Sequence, residues 1–366
     1  MIDKKEKKKK RKFKKKFIIL IALIIVVLIL INPVTSIFKL KSKGYSFMSS
    51  FKIYTMGETS RVLDSDYSQT LDEIIDTDSF DKKYVGNYLK TDFYEYDDFF
   101  VNLKTWFDLG YIPDDVNVIN KWNNKELNQK LSEKYIKDIT SYLEFNFFKV
   151  EKLDRYLNYF NGDYKDTIVR VNIGLDKKYY EDPTIIKDYS IGVIVNKYNK
   201  LDSTFTPTKL VEIDNCVDGE HYLAEEAKLA YDKMCTASLK EGLKLGVTSA
   251  YRSYESQQGV YATYLKSNGQ DYVNQYVATP GYSEHQTGLA LDVKSKVSSP
   301  FKTTKEYKWM LENAYKYGFI LRYEEGKEDI TGYNPEAWHF RYVGEEAAKY
   351  VYENGITYEE YYAMFM

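Results

Sequence analysis

Cysteine is nearly absent from this chain, and histidine is scarce. Of 366 residues only Cys216 and Cys235 are cysteines and only three are histidines. No Cys-x-x-Cys pair exists, which excludes a cysteine-rich zinc knuckle. No glycine-rich phosphate loop appears, so a nucleotide-binding fold is unsupported. The one Ser-x-x-Lys match in the second half, Ser299-Pro300-Phe301-Lys302, has no Lys-Thr-Gly partner, which argues against a serine-type penicillin-binding enzyme. A strong overall charge is lacking too, since the formal net charge is −2.

That small net charge hides an uneven distribution. Residues 1–16 hold ten Lys and one Arg against Asp3 and Glu6, so the remaining body is acidic. An acidic body argues against nucleic-acid binding, which needs basic residues clustered on a folded face. The basic run has another explanation. An unbroken apolar stretch, Phe17 to Ile31, follows it and continues through Val34, Ile37 and Phe38. Counted to Phe38, it matches the roughly 20 residues that cross a bilayer. A cleaved signal peptide is the competing reading, with Val34-Thr35-Ser36 as a cleavage site. The favoured expectation is an uncleaved anchor over 17–38, with the basic segment 1–16 cytoplasmic and the body outside. Outside the cytoplasm a Cys216–Cys235 bridge is permitted; two buried thiols are the alternative.

Residues 39–165 read as mainly helical. Leu127, Leu131, Tyr135 and Ile139 mark one apolar face, and Val150, Leu153, Tyr156 and Phe160 another. No convincing repeat and no catalytic constellation stand out there. From 166 to 366 the texture changes. Segments 168–173, 192–195, 245–249, 319–323 and 338–342 read as strands, with helices near 224–239 and 307–317. This mixture without regular alternation predicts an α+β domain whose small sheet leans antiparallel and is flanked by helices.

Two of the histidines stand in informative surroundings. One segment runs Ser283-Glu284-His285-Gln286-Thr287-Gly288-Leu289-Ala290-Leu291-Asp292, the other Glu336-Ala337-Trp338-His339. A catalytic zinc takes three nitrogen or oxygen ligands and leaves one position open for water. His285, Asp292 and His339 form such a set. Asp292 ends a small, apolar run, where an unpaired carboxylate is costly. Gly288 allows a tight turn between the ligands. Glu336, three residues before His339, stands at a spacing that lets one residue bind metal while the other acts on a water beside it. Taken singly, each of these residues is more often structural. His221 fits no such pattern and reads as structural.

Together the segments resemble the VanY-type D-alanyl-D-alanine carboxypeptidases of bacterial cell walls. That family carries SxHxxGxAxD followed by ExxH, and Ser283, His285, Gly288, Ala290, Asp292, Glu336 and His339 match every fixed position. Tyr251-Arg252-Ser253 with Gln257 is similar to its YRSxxxQ segment. Val195-Asn196-Lys197-Tyr198, with Leu201 and Pro207, looks like its opening segment. The resemblance spans roughly residues 168–355. It implies zinc held by His285, Asp292 and His339, and Glu336 as the base that activates the water and protonates the leaving amine. It implies that Arg252 stabilises the scissile carbonyl or holds the substrate carboxylate, as a permanently charged bidentate group can. Gln257 and Ser283 are then candidate substrate contacts, and Tyr282 and Trp338 either line the pocket or belong to the core.

The implied activity is removal of the terminal D-alanine from peptidoglycan stem peptides by a membrane-anchored zinc enzyme. An L,D-carboxypeptidase or an endopeptidase on the same wall peptides is the near alternative. A wall-binding module without catalysis is the distant one, since all four matching zinc and base positions are intact. Oligomeric state is open.

Overall fold

The computed structural model describes every residue except Met1 and Asp188, and the side chains at 2–8, 10, 11 and 27–30 lie outside that description. The basic segment expected at 1–16 falls largely on these residues. The chain divides into two compact units, 1–144 and 145–366. That division precedes the change of sequence texture near residue 166.

The first unit begins with helix α1, Ile2–Lys43. Its stretch Lys12–Lys43 has a mean hydropathy of 3.3 in its most apolar window and is long enough to cross a membrane. A three-residue link follows, and helix α2, Phe47–Thr55, packs on the end of α1. Short helices fill the rest of the unit.

These short helices hold a repeat that the residue types conceal. The last turn of α1 closes with the Tyr45 amide on the Leu40 carbonyl (3.3 Å), and 66 residues later Tyr111 closes on Trp106 (3.0 Å). Tyr45 packs on Tyr67 with ring centroids 5.0 Å apart, and Tyr111 packs on Tyr135 at 4.8 Å. The Tyr45 hydroxyl accepts from the Ser68 amide, and the Tyr111 hydroxyl from the Ile136 amide. Tyr88 packs on Phe80 and accepts from the Asp81 amide. In the second unit Tyr156 does the same with Phe148 and Lys149, 68 residues on. Most of the aligned side chains differ, so the duplication is legible only in these contacts. The expectation of no repeat is corrected.

Among the described residues of the second unit, eight short strands form three sheets. Parallel β1 (Thr184–Ile186) and β2 (Asn199–Leu201) pair, as do antiparallel β3 (Leu210–Glu212) and β4 (Tyr222–Ala224). The principal sheet is antiparallel, in the order β5-β6-β8-β7, from Leu245–Ser249, Ala290–Ser295, His339–Tyr342 and Phe319–Leu321. One face of this sheet is apolar. Leu245, Val247, Leu291, Val293 and Phe340 form a core with Ala227, Tyr231 and Met234 of the helix Glu225–Lys240. Strand alternation then turns Asp292 and His339 to the opposite face. The α+β expectation holds, with its antiparallel sheet flanked by helices.

Two expected strands are absent. Residues 168–173 lie mostly in the helix Tyr164–Asn172. The Asp163 carboxylate caps its N-terminus by accepting from the Asp166 amide, and Arg170 pairs with Asp166 one turn away. Local capping thus outweighs the β-branched residues Ile168, Val169 and Val171. Residues 193–195 are buried and Gly192 half-buried, but the first two carbonyls of the segment serve side chains rather than a ladder. Gly192 accepts from the Tyr358 hydroxyl and Val193 from the Arg341 guanidinium.

Cys216 and Cys235 are bridged, with Cα atoms 6.1 Å apart, which resolves the two readings in favour of the disulfide. The bond ties the segment after β3 to the core helix and closes a loop of 19 residues. By loop-closure entropy such a bridge contributes about 3 kcal/mol. Thermal unfolding with and without reductant should show a clear drop in Tm on reduction, and a Cys216→Ser/Cys235→Ser variant should be insensitive to reductant.

Candidate active site

The site is assembled from two neighbouring strands and one turn. Antiparallel register sets Asp292 of β6 directly opposite His339 of β8. Such cross-strand partners have Cβ atoms about 5 Å apart, so pairing alone brings two candidate ligands together. His285 comes from the 3-10 turn Glu284–Thr287, which Gly288 ends with φ 68°. A side chain at Gly288 would meet the Ala224 amide nitrogen at 3.0 Å, so glycine is needed for both conformation and space.

The donor atoms of His285, Asp292 and His339 lie within 4.8 Å of one another. Asp292 Oδ1 stands 3.4 Å from His285 Nε2 and 3.2 Å from His339 Nδ1. His285 is oriented from behind, its Nδ1 lying 2.7 Å from the Ala250 carbonyl. An N–H donated there leaves the Nε2 lone pair facing the centre. Asp292 Oδ1 is buried, yet no well-aligned hydrogen bond reaches it. A buried carboxylate oxygen without a donor, between two imidazole nitrogens, fits a divalent cation.

Electrostatics agree with this. Burial alone would raise the Asp292 pKa, but His285 and His339 hold it well below the usual carboxylate range. Burial, with the nearby Arg252, pushes His285 down to about 4, which keeps it neutral, as a metal ligand must be. Burial would also lower His339, but Asp292 and Glu284 outweigh it and push it up to about 9. The surroundings of His339 thus favour positive charge. Glu336 lies beside this group, its Oε2 3.7 Å from His339 Nδ1. Burial first, then repulsion from Asp292, pushes it up to about 7, so it can exchange a proton near neutrality.

One cavity joins the expected zinc, base and substrate-contact residues. Arg252, Gln257, Ser283, His285, Asp292, Glu336, Trp338 and His339 line it. Arg252 and Gln257 stand around the start of the helix Tyr254–Asn268, which Ser253 caps. Arg252 Nε is buried without an acceptor, and Gln257 Oε1 without a donor. Gln257 spends its NH2 on the Ala278 carbonyl at 2.7 Å, which leaves Oε1 for a ligand. The Ser283 side chain makes no capping bond to its turn. Trp338 is on the wall and half-exposed, whereas Tyr282 is buried and packs edge-on against Tyr180. His221 bonds to the Asp218 carbonyl, away from the cavity lining.

Sequence reasoning passed over Glu284, which is fully enclosed. Its Oε1 pairs with Arg322 at 2.9 Å and with Arg341 at 3.0 Å, and its Oε2 lies 3.3 Å from His339 Nε2. Arg322 also forks onto Glu359 of the last helix, Tyr358–Phe365. The only hint in the sequence was a carboxylate beside His285 in an otherwise small and apolar segment. Tyr323 and Tyr333 on the cavity wall were missed too, since tyrosine is too common in this chain to mark a site. Arg322→Leu would leave Glu284 and Glu359 short of a buried partner. We expect it to destabilise the protein by about 3–5 kcal/mol in thermal or denaturant unfolding.

Comparison with known proteins agrees with this geometry. A family model described as D-alanyl-D-alanine carboxypeptidase, VanY, matches residues 220–345. YodJ of Bacillus subtilis strain 168, named as a carboxypeptidase, is 40% identical over 205 residues, covering 51% of this chain and 75% of its own. The bifunctional D-Ala-D-Ala dipeptidase and D-Ala-D-Ala carboxypeptidase VanXYC of Enterococcus gallinarum is 34% identical over 177 residues, 46% of this chain and 92% of its own. The solved structure of the LD-carboxypeptidase LdcB is 39% identical and covers 52% of this chain and 94% of that one, with a TM-score of 0.48. With matched motifs and these levels of identity and coverage, the chain belongs to the VanY-type D-alanyl-D-alanine carboxypeptidase family.

Proposed function

We propose that this chain is a membrane-anchored zinc D-alanyl-D-alanine carboxypeptidase that trims the C-terminal D-alanine from peptidoglycan stem peptides. The observation that carries the reading is the convergence of His285, Asp292 and His339 around a buried, donorless carboxylate oxygen, with Glu336 beside them.

His285, Asp292 and His339 would hold the zinc. Bound zinc supplies Lewis acidity at the scissile carbonyl and a water that ionises near neutral pH. The other roles fall to this chain's own side chains. Glu336 takes the proton of the attacking water and returns it to the departing amine of D-alanine. Burial suits it to both, because a carboxylate with a raised pKa is a stronger base and can hold the proton between steps. Arg252, buried and unsatisfied at Nε, receives the negative charge of the substrate. Gln257 Oε1 accepts an N–H from the peptide, and the Ser283 hydroxyl contacts it as well. Trp338, Tyr323 and Tyr333 wall the cavity and restrict water.

The anchor reading is supported by the apolar stretch of α1 and by the basic residues 1–16 that precede that stretch, which the positive-inside rule keeps in the cytoplasm. The disulfide is of the kind that persists outside the cytoplasm, where the wall substrate lies.

Glu336→Ala should retain bound zinc and lose about 10²–10⁴ in kcat. D-alanine release from pentapeptide muropeptides, with zinc measured on the same samples, checks both. Zinc-loaded protein that releases no D-alanine from penta- or tetrapeptides would sink the enzyme reading, and chelator-resistant turnover would sink the zinc reading. The pH profile gives a second check. Glu336 must be ionised to act as the base, so kcat/KM should fall as pH drops through its pKa. A divalent ion stabilises that carboxylate, so the acidic limb should lie below the value of about 7 that burial sets without it.

A further inference from the structure

We propose that helix α2 seats the first unit on the outer surface of the membrane, with Phe47, Met48 and Phe51 entering the boundary between headgroups and acyl chains. This rests on the anchor reading above.

The first observation is an exposed apolar face. Phe47, Met48 and Phe51 are 60%, 57% and 48% exposed, while Ser49, Ser50 and Ile53 on the opposite side of the same helix are buried. Three large apolar side chains facing water on a nine-residue helix need a partner.

The internal duplication supplies the control. The second copy has the helix Pro113–Trp122 where the first has α2. At the same offset of 66 residues, buried Ser50 and Ile53 correspond to buried Val116 and Ile119. Exposed Phe47, Met48 and Phe51 correspond to Pro113, Asp114 and Asn117. Asn117 spends its amide on the Asp92 amide and the Lys90 carbonyl, an ordinary polar surface, and Ile112 is the one large exposed apolar residue adjoining it. The fold is therefore built without the apolar face, and the first copy carries it for another reason.

The partner follows from what α2 adjoins. About 20 residues span a bilayer, which from Phe17 reaches Ser36. From there α1 continues without a break to Lys43. Its last turns belong to the folded unit, because Leu40 is fully buried and α1 packs on α2 and on the helix Thr59–Leu63. Only Gly44, Tyr45 and Ser46 separate α1 from α2, and the Tyr45 amide is bonded back to Leu40. The folded unit thus starts at the membrane surface with no free linker, and α2 is the first element after the turn. Lys39 and Lys41, both exposed at the end of α1, suit anionic headgroups. An amphipathic helix held there lies in the interface with its apolar side down.

The test uses the full chain in nanodiscs of phosphatidylcholine and phosphatidylglycerol. Both native cysteines are bridged, so single variants Ile24→Cys, Met48→Cys and Asp114→Cys each accept one environment-sensitive fluorophore. We expect the labels at 24 and 48 to shift to the blue and to lose emission when brominated lipids replace ordinary ones. The label at 114 should do neither. Quenching at 24 without quenching at 48 overturns this proposal and leaves the anchor standing. Quenching at neither overturns both. A blue shift at 48 that follows protein density and ignores brominated lipid means that a second copy covers the face, which also overturns it.

Discussion

Glu284 carries a negative charge with no exposure to water, and much of the second unit is arranged around that charge. A lone buried carboxylate would take up a proton rather than remain ionised. Here Arg322 from just beyond β7 and Arg341 from β8 flank it, and Arg322 is shared with Glu359 of the last helix. Two carboxylates and two guanidinium groups thereby balance one another. The same carboxylate reaches His339 Nε2, which leaves Nδ1 on the side of Asp292 and Glu336. One buried charge thus ties the turn that carries His285 to the strand that carries His339. Breaking it would disturb stability and site geometry together.

The site combines rigid and exposed parts in a consistent way. The proposed ligand residues stand on a paired strand, a glycine-ended turn and the strand beside it, where backbone bonds fix their spacing. The groups read as substrate contacts, Arg252 and Gln257, surround the start of a capped helix at the cavity. Their unsatisfied atoms are oriented inward. A preorganised site of this kind spends little energy on rearrangement when a ligand arrives.

The duplicated tyrosine contacts show how packing can preserve a pattern that side chains lose. Tyr45 and Tyr111, and again Tyr88 and Tyr156, each bury a ring and use the hydroxyl to satisfy a loop amide. A buried tyrosine needs such a partner, so these positions are constrained while their exposed neighbours are free to differ. That freedom is what makes the contrast between α2 and its counterpart informative.

The candidate metal set was legible before any fold was known, because few residue types can bind zinc and the chain has only three histidines. Chemistry and ordered motifs pointed to His285, Asp292, His339 and Glu336, and hydropathy pointed to α1. Local pattern was less reliable where capping or side-chain bonding competed with it. Ile168 and Val171 looked like strand residues and lie in a capped helix, and Gly192–Val195 looked like a strand and bonds to side chains instead. Glu284, Arg322 and Glu359 could not be linked from the sequence, since nothing in the residues between them signals contact. Disulfide pairing and the duplicated tyrosine contacts likewise appeared only in three dimensions. Composition and spacing determine which chemistry is available to a chain; which charges meet, and which apolar face is left uncovered, depends on distances that only the folded chain sets.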